Sequence, residues 1–464
     1  MDQKMEGERK DSLIISKYLH VIRRDKGKKN IAYHRLFGNF SFLNDKAMRV
    51  LDMFSRPMGK SETSLFSARH HQEIRWFYNR YYLVDTGWDE REEIKYSLDE
   101  RERLLMQGQL LGGVQLSVSD MCISNCSVCF CAMVDRRGGK RKELREEKSN
   151  KEMSFETAVN VIDTLIRKVK ENGRNTLAVK FFGKEPLINW PLISRLMAHY
   201  EGRRNEGIRI QYMLVTNAIP VTEAMARLLS RHNVRTTVCI KELAHPLIPA
   251  QANGMRLLAD QQALHVISAS LTGKNFETFD RVVIDLGKSY GAQEVRVSIG
   301  IQENAGVDWT DSERIAKKLL DTYLYGKSQG IAVTGYWHNS IIEILSTRKT
   351  RTDKRIEHGV VDSCAATGYQ INVEPSGDIF PCRLMAMHLG HISDLDRILQ
   401  SSAYKHLGMR TYTNVAECRD CVIEGFCQGE CLGRLEDKYK DIYRVDKTCC
   451  DIYKNINNKI LSLM

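Results

Sequence analysis

The chain has 464 residues, 42% hydrophobic and 27% charged, with a formal net charge of +11 and 13 cysteines. Such a length exceeds one compact core, so two or three domains of roughly 100 to 200 residues are expected, and the composition excludes wholesale disorder. The charged start MDQKMEGERKD has no apolar stretch of the secretory kind, and no run approaches the ~18 apolar residues that span a bilayer, so a cytoplasmic protein with reduced thiols is expected.

In chain order, KYLHVIRR (17–24) and KNIAYHRLF (29–37) read as two strands around the turn DKGK, and FLNDKAMRVLDMFSR reads as a helix opened by Asn44. Together they predict a small winged-helix-like α+β module. From about residue 112 strand and helix alternate. VQLSVS (114–119) is followed by the run MCISNCSVCFC (121–131) and then by SFETAVNVIDTLIRKVKENG (154–173), an amphipathic helix with Ser154 as its cap and Gly173 as its stop. The alternation continues through LAVKFF, IQYMLV, VRTTVCI, HVISAS and EVRVSIG, with helices near 190–203, 221–232, 252–262, 275–289 and 309–326. Six strands separated by helices require parallel pairing with right-handed crossovers, which predicts a partial (β/α)6 TIM-like barrel or an open sheet. Chemistry in such folds sits at the carboxyl ends of the strands, where the first cysteine run lies. Beyond about residue 346 periodicity fades and cysteines become dense, as in a domain held by metal rather than by a large core.

Cys122, Cys126 and Cys129 are spaced C-x3-C-x2-C. Three thiolates on one short loop suit three irons of a cubane cluster and leave the fourth iron open, whereas structural zinc wants four ligands. Half of a zinc site completed elsewhere is the alternative. Cys131 is read as a neighbour outside the ligand set, and Cys239, alternating with apolar residues, as a buried strand thiol. The basic run at 135–151 is read as a solvated loop.

The trio after a first barrel strand resembles the radical S-adenosylmethionine (radical SAM) superfamily. A second pattern is more specific. Cys364, Gly377 and Cys382 follow C-x12-G-x4-C; Cys418, Cys421, Cys427 and Cys431 follow C-x2-C-x5-C-x3-C; the pair Cys449 and Cys450 comes last. This is similar to the seven-cysteine SPASM extension of radical SAM peptide maturases, and the resemblance covers about residue 110 to the end.

The resemblance implies a fold and a chemistry. The fold would divide into a peptide-recognition-like module over 1–105, a radical SAM partial barrel over 106–345 and a SPASM auxiliary iron-sulfur domain over 346–464. The cofactors would be S-adenosylmethionine and [4Fe-4S] clusters. Cys122, Cys126 and Cys129 would hold the cluster that binds and reduces S-adenosylmethionine. Cys364, Cys382 and Cys431 would hold a first auxiliary cluster, one ligand short, and Cys418, Cys421 and Cys427 with Cys449 or Cys450 a second. The product would be a modified ribosomal peptide or protein, with a flavodoxin or ferredoxin as electron donor and neither membrane nor nucleic acid as partner. Removing residues 1–100 would then weaken peptide binding and leave cluster content unchanged.

Gly183, Glu185, Thr216 and Asn217 are the cofactor-binding positions the resemblance assigns. The family's Gly-Gly-Glu-Pro reads Gly183-Lys184-Glu185-Pro186, its Thr-Asn-Gly reads Thr216-Asn217-Ala218, and its Ser-Ile-Asp-Gly reads Cys239-Ile240-Lys241-Glu242. The aromatic residue common before the third cluster cysteine is Val128. Lys184 is expected to crowd the loop, since glycine is favoured where φ is positive or a ligand lies close. These departures motivate a second reading, an impaired or inactive cluster-bearing pseudo-enzyme. A zinc-stapled nucleic-acid-binding protein is a third, motivated by the net charge and the CxxC spacing.

Overall fold

A computed structural model of the protein describes residues 12–25, 28–123, 152–201, 207–240, 243, 247–300, 308–338, 342, 364–427 and 429–463. The chain divides into two compact units: Met1–Arg101, Asn339–Val361 and Tyr412–Cys427 form one, and Glu102–His338, Asp362–Thr411 and Gln428–Met464 the other.

In the first unit β1 (Ser12–Ile15), β2 (Leu19–Ile22), β3 (Asn30–His34), β4 (Asn39–Leu43), β5 (Met58–Gly59) and β6 (Leu83–Asp85) make two antiparallel three-stranded sheets, ordered β5-β1-β6 and β2-β3-β4. The two strands expected around the DKGK turn pair as β2 and β3, with Leu19 opposite His34. Asn44 opens the helix Asp45–Asp52, its side chain accepting the Ala47 N–H at 2.9 Å. Leu51, Phe54, Phe77 and Leu83 are buried in one core that joins this helix to Ala68–Tyr78 and β6.

The second unit holds β7 (Gly113–Ser119), β8 (Thr176–Gly183), β9 (Arg209–Thr216), β10 (Arg235–Ile240), β11 (Leu264–Leu271), β12 (Glu294–Ile299) and β13 (Ala332–Thr334), all parallel and adjacent in sequence order. The six expected strands are present, and β13 is a short seventh. The helix Phe155–Glu171 buries Ala158, Val161, Ile162, Leu165 and Val169, with Ser154 Oγ accepting the Thr157 N–H at 3.0 Å and Gly173 at φ +67°. This stripe covers one face of the sheet.

Among the described residues hydrogen bonds do not close the sheet into a barrel. Instead β14 (Gln370–Val373) lies parallel to β7, with Asn372 beside Gln115, and β15 (Asp378–Phe380) and β16 (Gly390–His391) continue antiparallel. The cysteine-rich segment thus begins as an extension of the barrel sheet, and Cys364 and Cys382 flank β14 and β15.

Candidate active site

Glycine at 183 is a steric requirement. Its φ is +135°, and a Cβ there would stand 2.2 Å from the Ser119 carbonyl oxygen. The end of β8 therefore lies directly against the end of β7, where the first cysteine run starts. Lys184 N–H donates to Ser119 O at 3.0 Å and Glu185 N–H to Met121 O at 3.0 Å, tying the loop to the residues before Cys122.

Glu185 is fully buried. Its Oε1 accepts from Thr216 Oγ1 at 2.7 Å and from the Leu187 N–H at 3.1 Å, and Oε2 accepts the Asn217 N–H at 2.7 Å. Burial pushes its pKa up to about 7, against these three hydrogen bonds, which pull the other way. Such a carboxylate gains from a cation placed beside it. Asn217 Nδ2 also lies 3.9 Å from Cys122 Sγ, so Gly183, Glu185, Thr216, Asn217 and Cys122 come together at the carboxyl ends of β7, β8 and β9. Cys126, Cys129, Cys131, Val128, the 135–151 run, Lys241 and Glu242 lie outside the described residues.

The positive φ that would make Lys184 a misfit falls at another position. Lys184 does not take a positive φ; Ala218 does, at +62°. Its carbonyl oxygen would stand 1.8 Å from a Cβ on Gly254, so the strained turn also packs against the helix Pro249–Asp260. The position where the family pattern has glycine and this chain has alanine is the one in the left-handed region.

In the second unit the charge of nearby Cys431, followed by burial of the hydroxyl and by Cys364 and Cys382, holds the phenol of Tyr336, just past β13, well above its ordinary range. All three thiols of the first auxiliary set thus lie near enough to influence one hydroxyl. Burial, with Glu430 second, pushes the Cys431 thiol up, and the same two causes act on Cys449. Thiols so placed are costly to ionise unless a metal holds the thiolate, which suits a cluster. Cys449 is buried and Cys450 half-buried on the helix Lys447–Leu463. Cys418, Cys421 and Cys427 belong to the first unit. No disulfide engages the described cysteines, and among the described residues no three His, Cys, Asp or Glu side chains converge tightly enough to hold a single ion. A cubane cluster makes a looser demand, since each thiolate binds a different iron. Cys239, expected to be buried, is half-buried on β10.

Sequence reasoning missed the pair that joins the two cysteine regions of the second unit. Arg383, next to Cys382, is buried and reaches Asp120 Oδ1 at 3.2 Å, two residues before Cys122; its N–H donates to Gln115 Oε1 at 3.2 Å. Neither residue belongs to a spacing motif, so only the fold brings them into view.

The model of the SPASM family, an iron-sulfur cluster-binding domain, matches residues 364–422. Over 464 aligned residues the chain is 27% identical to the radical SAM cyclopropyl synthase TigE of Paramaledivibacter caminithermalis, covering 97% of this chain and 96% of that protein. This chain is a relative of the radical SAM/SPASM proteins. It is also 27% identical over 186 residues to the uncharacterized protein MJ0907 of Methanocaldococcus jannaschii, covering 37% of this chain and 58% of that one. Among solved structures, native anSMEcpe with bound AdoMet superposes with a TM-score of 0.57 at 16% identity, over 76% of this chain and 98% of that one. Streptococcus suis SuiB bound to its precursor peptide SuiA does so with a TM-score of 0.51 at 16% identity, over 94% and 99%. At these identities the structural likenesses concern the fold. The iron-sulfur expectation draws its support from the SPASM match, which favours it over zinc.

Proposed function

We propose that this protein is a radical S-adenosylmethionine enzyme that modifies a ribosomally made precursor peptide. The observation that carries the reading is the buried Glu185, held by Thr216 and Asn217 beside Cys122. A carboxylate poised near neutrality by burial suits the ammonium of S-adenosylmethionine, and its three donors keep it oriented without neutralising it. When bound next to a reduced cluster, S-adenosylmethionine supplies a 5'-deoxyadenosyl radical that abstracts hydrogen. The chain's own part is to orient the cofactor through Glu185, Thr216 and Asn217, and to hold the irons through Cys122, Cys126 and Cys129.

Peptide as substrate is supported by the small α+β module and by the SuiB complex with its precursor peptide. The relation to a cyclopropyl synthase favours carbon–carbon bond formation. Cys364, Cys382 and Cys431 would hold the first auxiliary cluster, with the Tyr336 oxygen, which feels the charges of all three, as the candidate non-cysteine ligand. Cys418, Cys421 and Cys427 with Cys449 or Cys450 would hold the second. The division into 1–105, 106–345 and 346–464 stays with this reading, as does a cytoplasmic setting with a flavodoxin or ferredoxin donor. Among the described residues no helix is long and apolar enough to cross a membrane.

The test is incubation of the reconstituted protein with a short peptide encoded beside its gene, under dithionite and S-adenosylmethionine. Loss of hydrogen from the peptide by mass spectrometry supports the reading. An unchanged peptide alongside intact clusters favours the pseudo-enzyme.

A further inference from the structure

A recognition module that merely captured peptide would be removable. The first unit is built differently, because the loop carrying Cys418, Cys421 and Cys427 is part of it. Glu424, between Cys421 and Cys427, has a wholly buried side chain and is gripped by Arg91 of the helix Glu90–Met106 through two parallel contacts, Nη1 to Oε1 at 3.0 Å and Nη2 to Oε2 at 3.1 Å. Arg91 Nη2 also reaches Asp420 Oδ1 at 3.2 Å, and its Nε donates to Tyr18 Oη at 3.0 Å.

Asp420 lies between Cys418 and Cys421 with φ +64°, a left-handed conformation that needs support in a non-glycine residue. Its N–H donates to Glu424 Oε2 at 2.9 Å, and its carbonyl accepts from Arg35 Nη1 at 3.2 Å. Backbone contact continues the attachment. Gly425 N–H donates to Arg35 O at 2.5 Å, and a Cβ on Gly425 would stand 2.6 Å from Gly38 N and 2.7 Å from Leu36 O. The Phe426 ring meets Tyr33 of β3 edge to face at 5.7 Å.

We propose that the amino-terminal module is the scaffold for the ligand loop of the second auxiliary cluster, and that Arg91 is a positioning residue whose guanidinium fixes Glu424 and Asp420 so that Cys418, Cys421 and Cys427 face one cluster. The inference rests on the reading that these three cysteines hold iron. It reverses the expectation that the module can be lost without cost to the clusters. A buried carboxylate stripped of its cation is left uncompensated, so the loop opens rather than keep Glu424 inside. Peptide capture and cluster integrity then share one structural unit.

The full-length protein is reconstituted anaerobically as wild type, as the triple variant Cys418→Ala/Cys421→Ala/Cys427→Ala, as Arg91→Ala and as Gly425→Val, with iron, sulfide and the electron paramagnetic resonance of the reduced clusters measured for each. The wild type is expected to hold about twelve irons per chain and the triple variant about eight. Arg91→Ala and Gly425→Val are each expected to match the triple variant, losing the same resonance while the remaining signals stay. Gly425→Val leaves both charges in place and carries the test alone if Arg91→Ala does not fold. Full iron in Gly425→Val, with loss in the triple variant, overturns the inference. No loss in the triple variant overturns the cluster reading itself.

Discussion

Glu185 accepts the backbone N–H of Asn217 at 2.7 Å, joining the loop after β8 to the loop after β9 through a fully buried carboxylate. Two motifs thirty-two residues apart thereby act as one site, and its charge state is set by burial against three hydrogen bonds.

The first prediction concerns pH. The folded pKa of Glu185, about 7, is above the ordinary 4.5, so the folded protein without cofactor binds this proton more tightly than the unfolded chain. Its contribution to stability is fully present below pH ~4.5 and is lost as pH rises through about 7, amounting to roughly 3 kcal/mol at most. A bound ammonium wants the ionised form, so S-adenosylmethionine affinity should run the other way, rising about tenfold per pH unit toward 7 and levelling above it. Calorimetric titration across pH 5.5 to 8.5 (roughly the window implied by that pKa) checks this, and Glu185→Gln should flatten the profile.

The second prediction separates the two departures beside the cofactor. Ala218 is in the left-handed region, so Ala218→Gly should relieve about 1 kcal/mol and raise the thermal midpoint, with part of the gain returned as unfolded-chain entropy. Lys184 has no such strain, so the test there is of its charge. Lys184→Gln should tighten S-adenosylmethionine by about fivefold, equivalent to ~1 kcal/mol of repulsion in wet surroundings. A weaker affinity in Lys184→Gln would make the lysine a ligand to the cofactor carboxylate.

The third prediction is at Tyr336. Its hydroxyl feels the charges of Cys431, Cys364 and Cys382, so Tyr336→Phe should shift the resonance and potential of the first auxiliary cluster while iron content falls little. Cys431→Ala should instead cost that cluster. Identical spectra for wild type and Tyr336→Phe would remove the phenol from the ligand sphere.

Much of this was legible in the residues themselves. Six barrel strands, the Asn44 and Ser154 caps and the cysteine spacings are local patterns, and the strands and caps are found where the sequence places them. β13 escaped notice because three residues are too few for an alternation to register, and β14 because its partner β7 is more than 250 residues away. The Arg91–Glu424 pair, 333 residues apart, leaves no local signal at all. Backbone conformation is hidden for a related reason: Lys184 and Ala218 both stand where the family pattern has glycine, and residue type alone does not say which of the two positions needs a positive φ.

The central claim is that Cys122, Cys126 and Cys129 hold a cluster that cleaves S-adenosylmethionine beside Glu185. The most direct measurement is 5'-deoxyadenosine formed under dithionite by the anaerobically reconstituted wild type and by Cys122→Ala/Cys126→Ala/Cys129→Ala. The account predicts product from the wild type and none from the triple variant, which should lose about four irons. No 5'-deoxyadenosine from an iron-replete wild type, or zinc in place of iron, would contradict it.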